Sequence, residues 1–219
     1  MGRSLRAAQL PTEFPIFPLP GAVLLPGGKL PLNIFEPRYL KMVEDALGEG
    51  RIIGMVQPDP AHGPTPTGPA VYRIGCLGRI TSFSETDDGR FLITLTGVTR
   101  YQIAVELEMR RGYRRVRADL SRFAGDLEPD GDGIERRDLL DALRAYFQVR
   151  GFDANWDAIN EMPDPVLVAT LSMVCPFEPL EKQALLEAPT TADRAQALLI
   201  LLRMDAHQPD PGQYKHSVS

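Results

Sequence analysis

Apolar and polar positions change their spacing about halfway along the chain, and the change predicts two kinds of structure. Up to about residue 122, apolar residues fall in short runs or alternate with polar ones, as strands require. Short apolar strands are predicted at 14–19 and 22–25, set off by the Pro20-Gly21 and Pro26-Gly27-Gly28 turns. A third covers 29–35, where Pro31 marks an edge or irregular segment. Pro37 suits the first turn of a helix in which Leu40, Val43 and Leu47 recur at the helical period, ended by Gly48 or Gly50. Residues 51–57 read as a strand buried on both faces. The loop behind it holds Pro58, Pro60, Pro64, Pro66 and Pro69, too few backbone donors for a sheet, so an irregular surface excursion is predicted. Strand character resumes over 71–85, and Asp87-Asp88-Gly89 turns it into a hairpin with 91–95. Further strands are expected at 98–109 and 113–122. In the last, Val116, Ala118 and Leu120 alternate with Arg115, Arg117 and Asp119, giving one buried and one wet face.

Residues 124–133 are acidic and turn-rich and predict an exposed linker. The helical period takes over after it. Leu139, Leu140, Leu143 and Phe147 form an apolar stripe in 134–150, and Asp153 is placed to cap a short helix carrying Trp156 and Ile159. The helix opened by Pro165, over 165–174, is apolar all round and therefore central. Residues 179–187 form another, and Thr190 with Asp193 has the form of a capping box ahead of 192–205. The polar tail, 207–219, is expected to be disordered. The pattern gives an α+β chain: a twisted β-sheet part with one inserted helix over 1–123, a linker at 124–133, and a helical bundle over 134–206.

Composition narrows the chemistry. The 219 residues are 43% hydrophobic and 24% charged with a net charge of −5, ordinary for a globular protein and no sign of a general nucleic-acid binder. No apolar run approaches the ~20 residues of a membrane span, and the prolines after Phe14 interrupt any signal peptide. Cys76 and Cys175 stand among apolar neighbours and read as reduced core residues, so the cytoplasm is the expected location. Pro26-Gly27-Gly28-Lys29-Leu30 lacks the hydroxyl and spacing of a phosphate-binding loop. His62, His207 and His216 lie in the proline-rich loop or near the tail, where no rigid frame could hold a catalytic imidazole. Two distant cysteines with these histidines make no zinc set. No cofactor, metal or catalytic residue is assigned. Arg110, Arg111, Arg114, Arg115, Arg117 and Arg122 form a basic cluster, a site for nucleic acid or an acidic segment on one reading. The alternation of 113–122 favours the other, a solvated strand face beside an acidic linker.

One stretch is far more specific. Phe17-Pro18-Leu19-Pro20-Gly21-Ala22-Val23-Leu24-Leu25-Pro26-Gly27-Gly28-Lys29-Leu30-Pro31-Leu32, continued through Ile34-Phe35-Glu36-Pro37-Arg38-Tyr39, resembles the opening of the Lon N-terminal substrate-binding domain family. Further matches in series are Tyr72 to Ile80, Asp88-Gly89-Arg90, Leu95 to Tyr101, and Pro179 to Glu187. The Ile34 to Tyr39 form is similar to that of free-standing bacterial members. Because the chain stops soon after its last helix, the ATPase and the Ser-Lys protease of a full Lon are not expected. The resemblance implies a β part of pseudo-barrel type followed by a helical bundle. It implies unfolded or degron-bearing polypeptides as partners, and a protease that the chain would serve as adaptor or regulator; no nucleic acid or membrane partner is implied.

Within the matching stretch, Phe35, Glu36, Arg38 and Tyr39 are the candidate peptide-binding residues, presenting charge and aromatic rings. A structural reading has Glu36 capping helix donors while Arg38 bonds strand-end carbonyls. Two functions stay open: a non-enzymatic polypeptide-binding module with an apolar groove at the β/helical junction, or a small-molecule or cryptic enzymatic role in that same cleft. A long apolar groove would favour the first and convergent ionisable groups the second.

Overall fold

The computed structural model describes residues 10–128 and 133–207. Six strands, β1 (Glu13–Pro18), β2 (Lys29–Ile34), β3 (Ile52–Val56), β4 (Ile74–Glu85), β5 (Phe91–Arg110) and β6 (Tyr113–Asp119), form one mixed sheet in the order β2-β5-β4-β3-β1-β6. Only β1 and β3 run parallel, their crossover passing through β2 and the helix α1 (Pro37–Gly48). β5 also pairs with β6, so the sheet curls back on itself. Register shifts break the β4–β5 and β5–β6 ladders, and the result is a strongly twisted sheet of pseudo-barrel type, not a regular closed barrel.

Three strand expectations need correction. Residues 22–25 are not a strand. Val23, Leu24 and Leu25 are buried, but no strand comes alongside to pair their backbone, and the segment plugs the curl of the sheet with its side chains. The strands expected at 91–95 and 98–109 are one strand, β5. Gly97 bends it without ending it: a Cβ there would lie 1.9 Å from the Leu25 carbonyl oxygen, so only glycine admits the plug. The last strand also stops early, at Asp119, and Ser121–Leu127 form a 3-10 turn. Within 124–133, Asp126 is not left in water but buried against Arg100, while 129–132 lie outside the described residues.

The second half consists of α2 (Arg136–Arg150), α3 (Trp156–Glu161), α4 (Asp164–Val174), α5 (Pro179–Glu187) and α6 (Thr191–His207). Asn155, not Asp153, caps α3, its side chain accepting from the Ala158 N–H at 3.1 Å. Thr190 and Asp193 do exchange side-chain and backbone bonds at the start of α6. The tail from 208 lies outside the described residues.

Among the described residues, three apolar clusters hold the molecule together. One lies on the face of the sheet that looks away from α1 and includes Phe14, Ile16, Leu77, Tyr101 and Val116. A second fills the helical part around Leu143, Tyr146, Leu171 and Leu198. The third joins sheet and α1 to the helices, with Phe17, Leu25, Met42 and Ile53 packed on Ala169, Met173 and Leu186. α4 is central as its composition suggests, supplying Ala169 and Met173 to one cluster and Leu167, Val168 and Leu171 to another. The seam is also riveted by polar side chains. Lys182 donates to the carbonyls of Gly21 and Met173 at 3.1 and 3.0 Å, and Gln57 donates to Gln183 and to the Pro179 carbonyl.

Candidate functional site

A groove of about 440 Å³ opens beside β2. Its walls are the end of β1 with Leu19 and Pro20, the stretch from Pro31 to Tyr39, and the loop residues Pro58, Thr67 and Pro69. All four residues singled out in the sequence, Phe35, Glu36, Arg38 and Tyr39, line it. The reason is local. β2 ends at Ile34, Pro37 starts α1 at once, and the short corner between them leaves Phe35 62% exposed at the rim. Tyr39, in the first turn of α1, is buried and packs on Phe17 with ring centroids 4.3 Å apart.

The polar groups are few. Arg38 bonds Glu36 at 2.8 and 2.9 Å and lies 4.5 Å from the centroid of the Tyr39 ring. Glu36 makes no bond to the helix donors, so the capping reading of this pair is wrong; the carboxylate is held by Arg38 instead. The pair is half exposed and contributes little to stability. Burial pushes the Tyr39 hydroxyl above its ordinary range, with Glu36 adding to the rise and Arg38 and Arg114 opposing it, so it stays a neutral donor. Arg114 builds the far wall. It is buried on the inward row of β6, bonds Glu106 at 2.5 and 3.2 Å, and donates to the Pro69 carbonyl at 2.7 Å. Thr67 donates to the same carboxylate. An ion pair with its arginine buried and its carboxylate part-exposed thus pins the proline-rich loop against the sheet. Five wall residues are prolines, which have no N–H to offer, and no Ser, Cys, His or Lys lines the groove among the described residues.

The apolar groove is therefore built by the first half of the chain and does not sit at the β/helical junction, where it was expected. The junction has its own cleft, about 790 Å³, lined by Arg100, Arg122, Asp126, Thr190 and Arg194 among others. Sequence reasoning passed over Arg100, since an arginine within a strand is by default a solvated one. Here it is buried, bonds Asp126 through three nitrogen–oxygen contacts of 2.7 to 3.2 Å, and donates to the carbonyls of Leu186, Ala188 and Pro189. Its donors are spent on the fold.

The remaining sequence candidates fall elsewhere. Gly27 and Gly28 give their N–H groups to Gly97 and Leu25, so this turn forms no phosphate cradle. Arg110 and Arg111 bond Glu44 and Asp45 on α1 and Glu49 just past its end, and Arg115 and Arg117 face Glu13. Arg122 lies 5.4 Å from the Phe123 ring centroid. Cys76 and Cys175 are free and buried in different clusters, and burial pushes the Cys175 thiol up to about 12. His62 sits on the exposed loop against Asp59, and among the described residues no group of His, Cys, Asp and Glu is arranged to hold a metal ion. No helix among the described residues is long and apolar enough to cross a membrane.

Comparison with known proteins places this architecture. The chain is 25% identical over 197 residues to Lon protease 2 of Myxococcus xanthus, a match that covers 88% of this chain but 24% of that protein. It is 33% identical over 108 residues to the Lon protease of Dictyoglomus thermophilum, covering 48% of this chain and 13% of the relative. The chain thus spans about a quarter or less of the curated relatives' length. Among solved structures, a Lon N-terminal domain protein from Xanthomonas campestris superposes with a TM-score of 0.59 at 24% identity, covering 86% of this chain and 97% of the other. The N-terminal domain of Mycobacterium avium complex Lon protease gives 0.63 at 18% identity, with 90% and 100% covered. Residues 13–204 match the model of the ATP-dependent protease La (LON) substrate-binding domain, and the chain belongs to that family.

Proposed function

We propose that the chain is a non-enzymatic module of the cytoplasm that binds extended, apolar segments of unfolded or degron-bearing polypeptides in the groove beside β2, and that it serves a protease as adaptor or regulator. The observation that carries this reading is an open apolar groove with Phe35 62% exposed at its rim. A large apolar side chain left in water gains on being covered, at roughly 25 cal/mol per Å². The family description, a protease substrate-binding domain, points the same way. The groove holds only a few side chains, and an unfolded segment loses entropy when ordered, so affinity should be micromolar.

The test is titration of a labelled, permanently unfolded protein at low and high salt, with its folded form as control. Binding should be confined to the unfolded form and should change little with salt, because an apolar contact is hardly screened. Phe35→Ser should weaken binding about tenfold and leave the melting temperature unchanged, since the ring packs on little. Equal binding of both forms, or full binding by Phe35→Ser, rejects the groove.

A further inference from the structure

β2 is an edge strand. It pairs with β5 alone, and no described residue bonds its outer side. The Gly97 N–H donates to the Gly28 carbonyl, which turns Gly28 toward β5. By the two-residue alternation of an antiparallel ladder, Leu30, Leu32 and Ile34 also turn toward β5, and Lys29, Pro31 and Asn33 turn outward. Pro31 fits this phase, since its missing donor costs the ladder nothing on that side. The outer edge therefore offers the N–H and carbonyl of Lys29 at its start, the Pro31 carbonyl, and both the N–H and the carbonyl of Asn33 beside the groove.

These groups lie between two hollows. Pro31, Leu32 and Asn33 border the apolar groove on one flank and a second, shallower hollow walled by Ser82, Ser84 and Leu92 on the other. Leu92 is 45% exposed there. A strand laid along an edge sends alternate side chains to opposite faces. Here one set would enter the groove beside Phe35 and the other would cover Leu92. We propose that the polypeptide bound by this chain is held as an added β-strand on the outer edge of β2, bonded through the backbone of Asn33, with alternate side chains in the two hollows.

This rests on the polypeptide-binding reading and specifies its geometry. A second folded copy is the poorer occupant. The edge is six residues long with Lys29 and Pro31 on it, features that oppose edge-to-edge pairing of folded sheets. A single extended segment needs only the outward pair at Asn33, the one that lies between the two hollows, and can choose its own register.

The experiment uses a soluble peptide of alternating leucine and threonine with lysines at both ends, and two derivatives of it N-methylated at alternate residues, one in each phase. One derivative should bind about tenfold more weakly, having lost bonds to the edge, while the other binds as the parent does. Asn33→Pro removes the outward donor without touching the β2–β5 ladder and should weaken the parent peptide similarly; Asn33→Ala, which keeps that donor, should weaken it clearly less. If the parent binds and both derivatives bind equally well, strand addition is wrong and the polypeptide-binding reading survives. If the parent and the unfolded protein both fail to bind, that reading falls as well. If sedimentation shows a dimer that Asn33→Pro dissociates, the occupant is a second copy and the proposal is overturned. Should Asn33→Pro fail to fold, the two methylated peptides decide alone.

Discussion

Arg100 ties together three parts of the tertiary structure, the strand β5, the turn at Asp126 and the end of α5. Its guanidinium and Asp126 are both nearly sealed from solvent, and the remaining donors reach three carbonyls at the end of α5 and just beyond it. Removing one partner of a buried pair leaves the other charge without compensation, so Arg100→Ala should cost about 3–5 kcal/mol in urea unfolding. Asp126→Asn keeps an acceptor for the guanidinium and should cost less. Equal small losses for the two variants would mean that water replaces the network. Lys182 makes the same kind of contact without a carboxylate, and burial accordingly lowers its pKa. Neither residue was legible in the sequence, because the composition around an arginine or lysine does not reveal which carbonyls will surround it. Phe35, Glu36, Arg38 and Tyr39 were singled out as candidates through the motif they belong to, and their meeting in one groove follows from the tight β2–α1 corner.

At the scale of elements, β5 shows what one glycine permits. Gly97→Ala would drive a methyl group into the Leu25 backbone, which cannot swing aside, and should destabilise by about 3 kcal/mol or more. Gly89→Ala, in the open hairpin turn at φ +77°, meets no atom within 4 Å and should cost only about 1–2 kcal/mol of backbone strain. Denaturation midpoints of the two variants would separate these effects. The β5–β6 hairpin also grips α1. Tyr113 donates to Asp45 at 2.7 Å, Arg111 bonds it at 2.7 Å, and Arg110 lies 3.4 Å away. Burial works to raise the Asp45 carboxyl, but these bonds and charges outweigh it and hold the group below its ordinary 3.8. A carboxylate depressed in the fold gives stability that is present above 3.8 and lost as pH falls through the lower folded value. Asp45→Asn should therefore melt below the wild type at pH 7, with the gap narrowing under acid. A gap independent of pH would show that the charge contributes nothing.

For the whole molecule, the cluster that joins Phe17 and Ile53 to Met173 and Leu186 predicts that sheet and helices unfold together. Trp156, the single tryptophan, packs on the helical cluster, and Cys76 is sealed in the cluster at the sheet. In a Cys175→Ala background, the Trp156 fluorescence transition and the exposure of the Cys76 thiol should coincide in urea. Separate midpoints would mean that the two parts are independent units.

The sequence by itself determined the α+β class and most of the elements in their order, because period, prolines, glycines and caps act within a few residues of one another. It failed where that locality failed. Residues 22–25 are apolar enough for a strand, but whether they find a ladder depends on partners far along the chain, and they became a plug. The break read at Thr96-Gly97 is a bend because of Leu25, more than seventy positions earlier. The row of arginines read as a wet face, yet Arg114 is buried, since Glu106 and the Pro69 carbonyl are brought to it by the β5–β6 pairing and by the loop. Only the tertiary structure decided where the groove lies, which edge of the sheet stays open, and that the junction is riveted. Each of these depends on non-local approach, and a buried polar group becomes affordable only after the fold has delivered its partners.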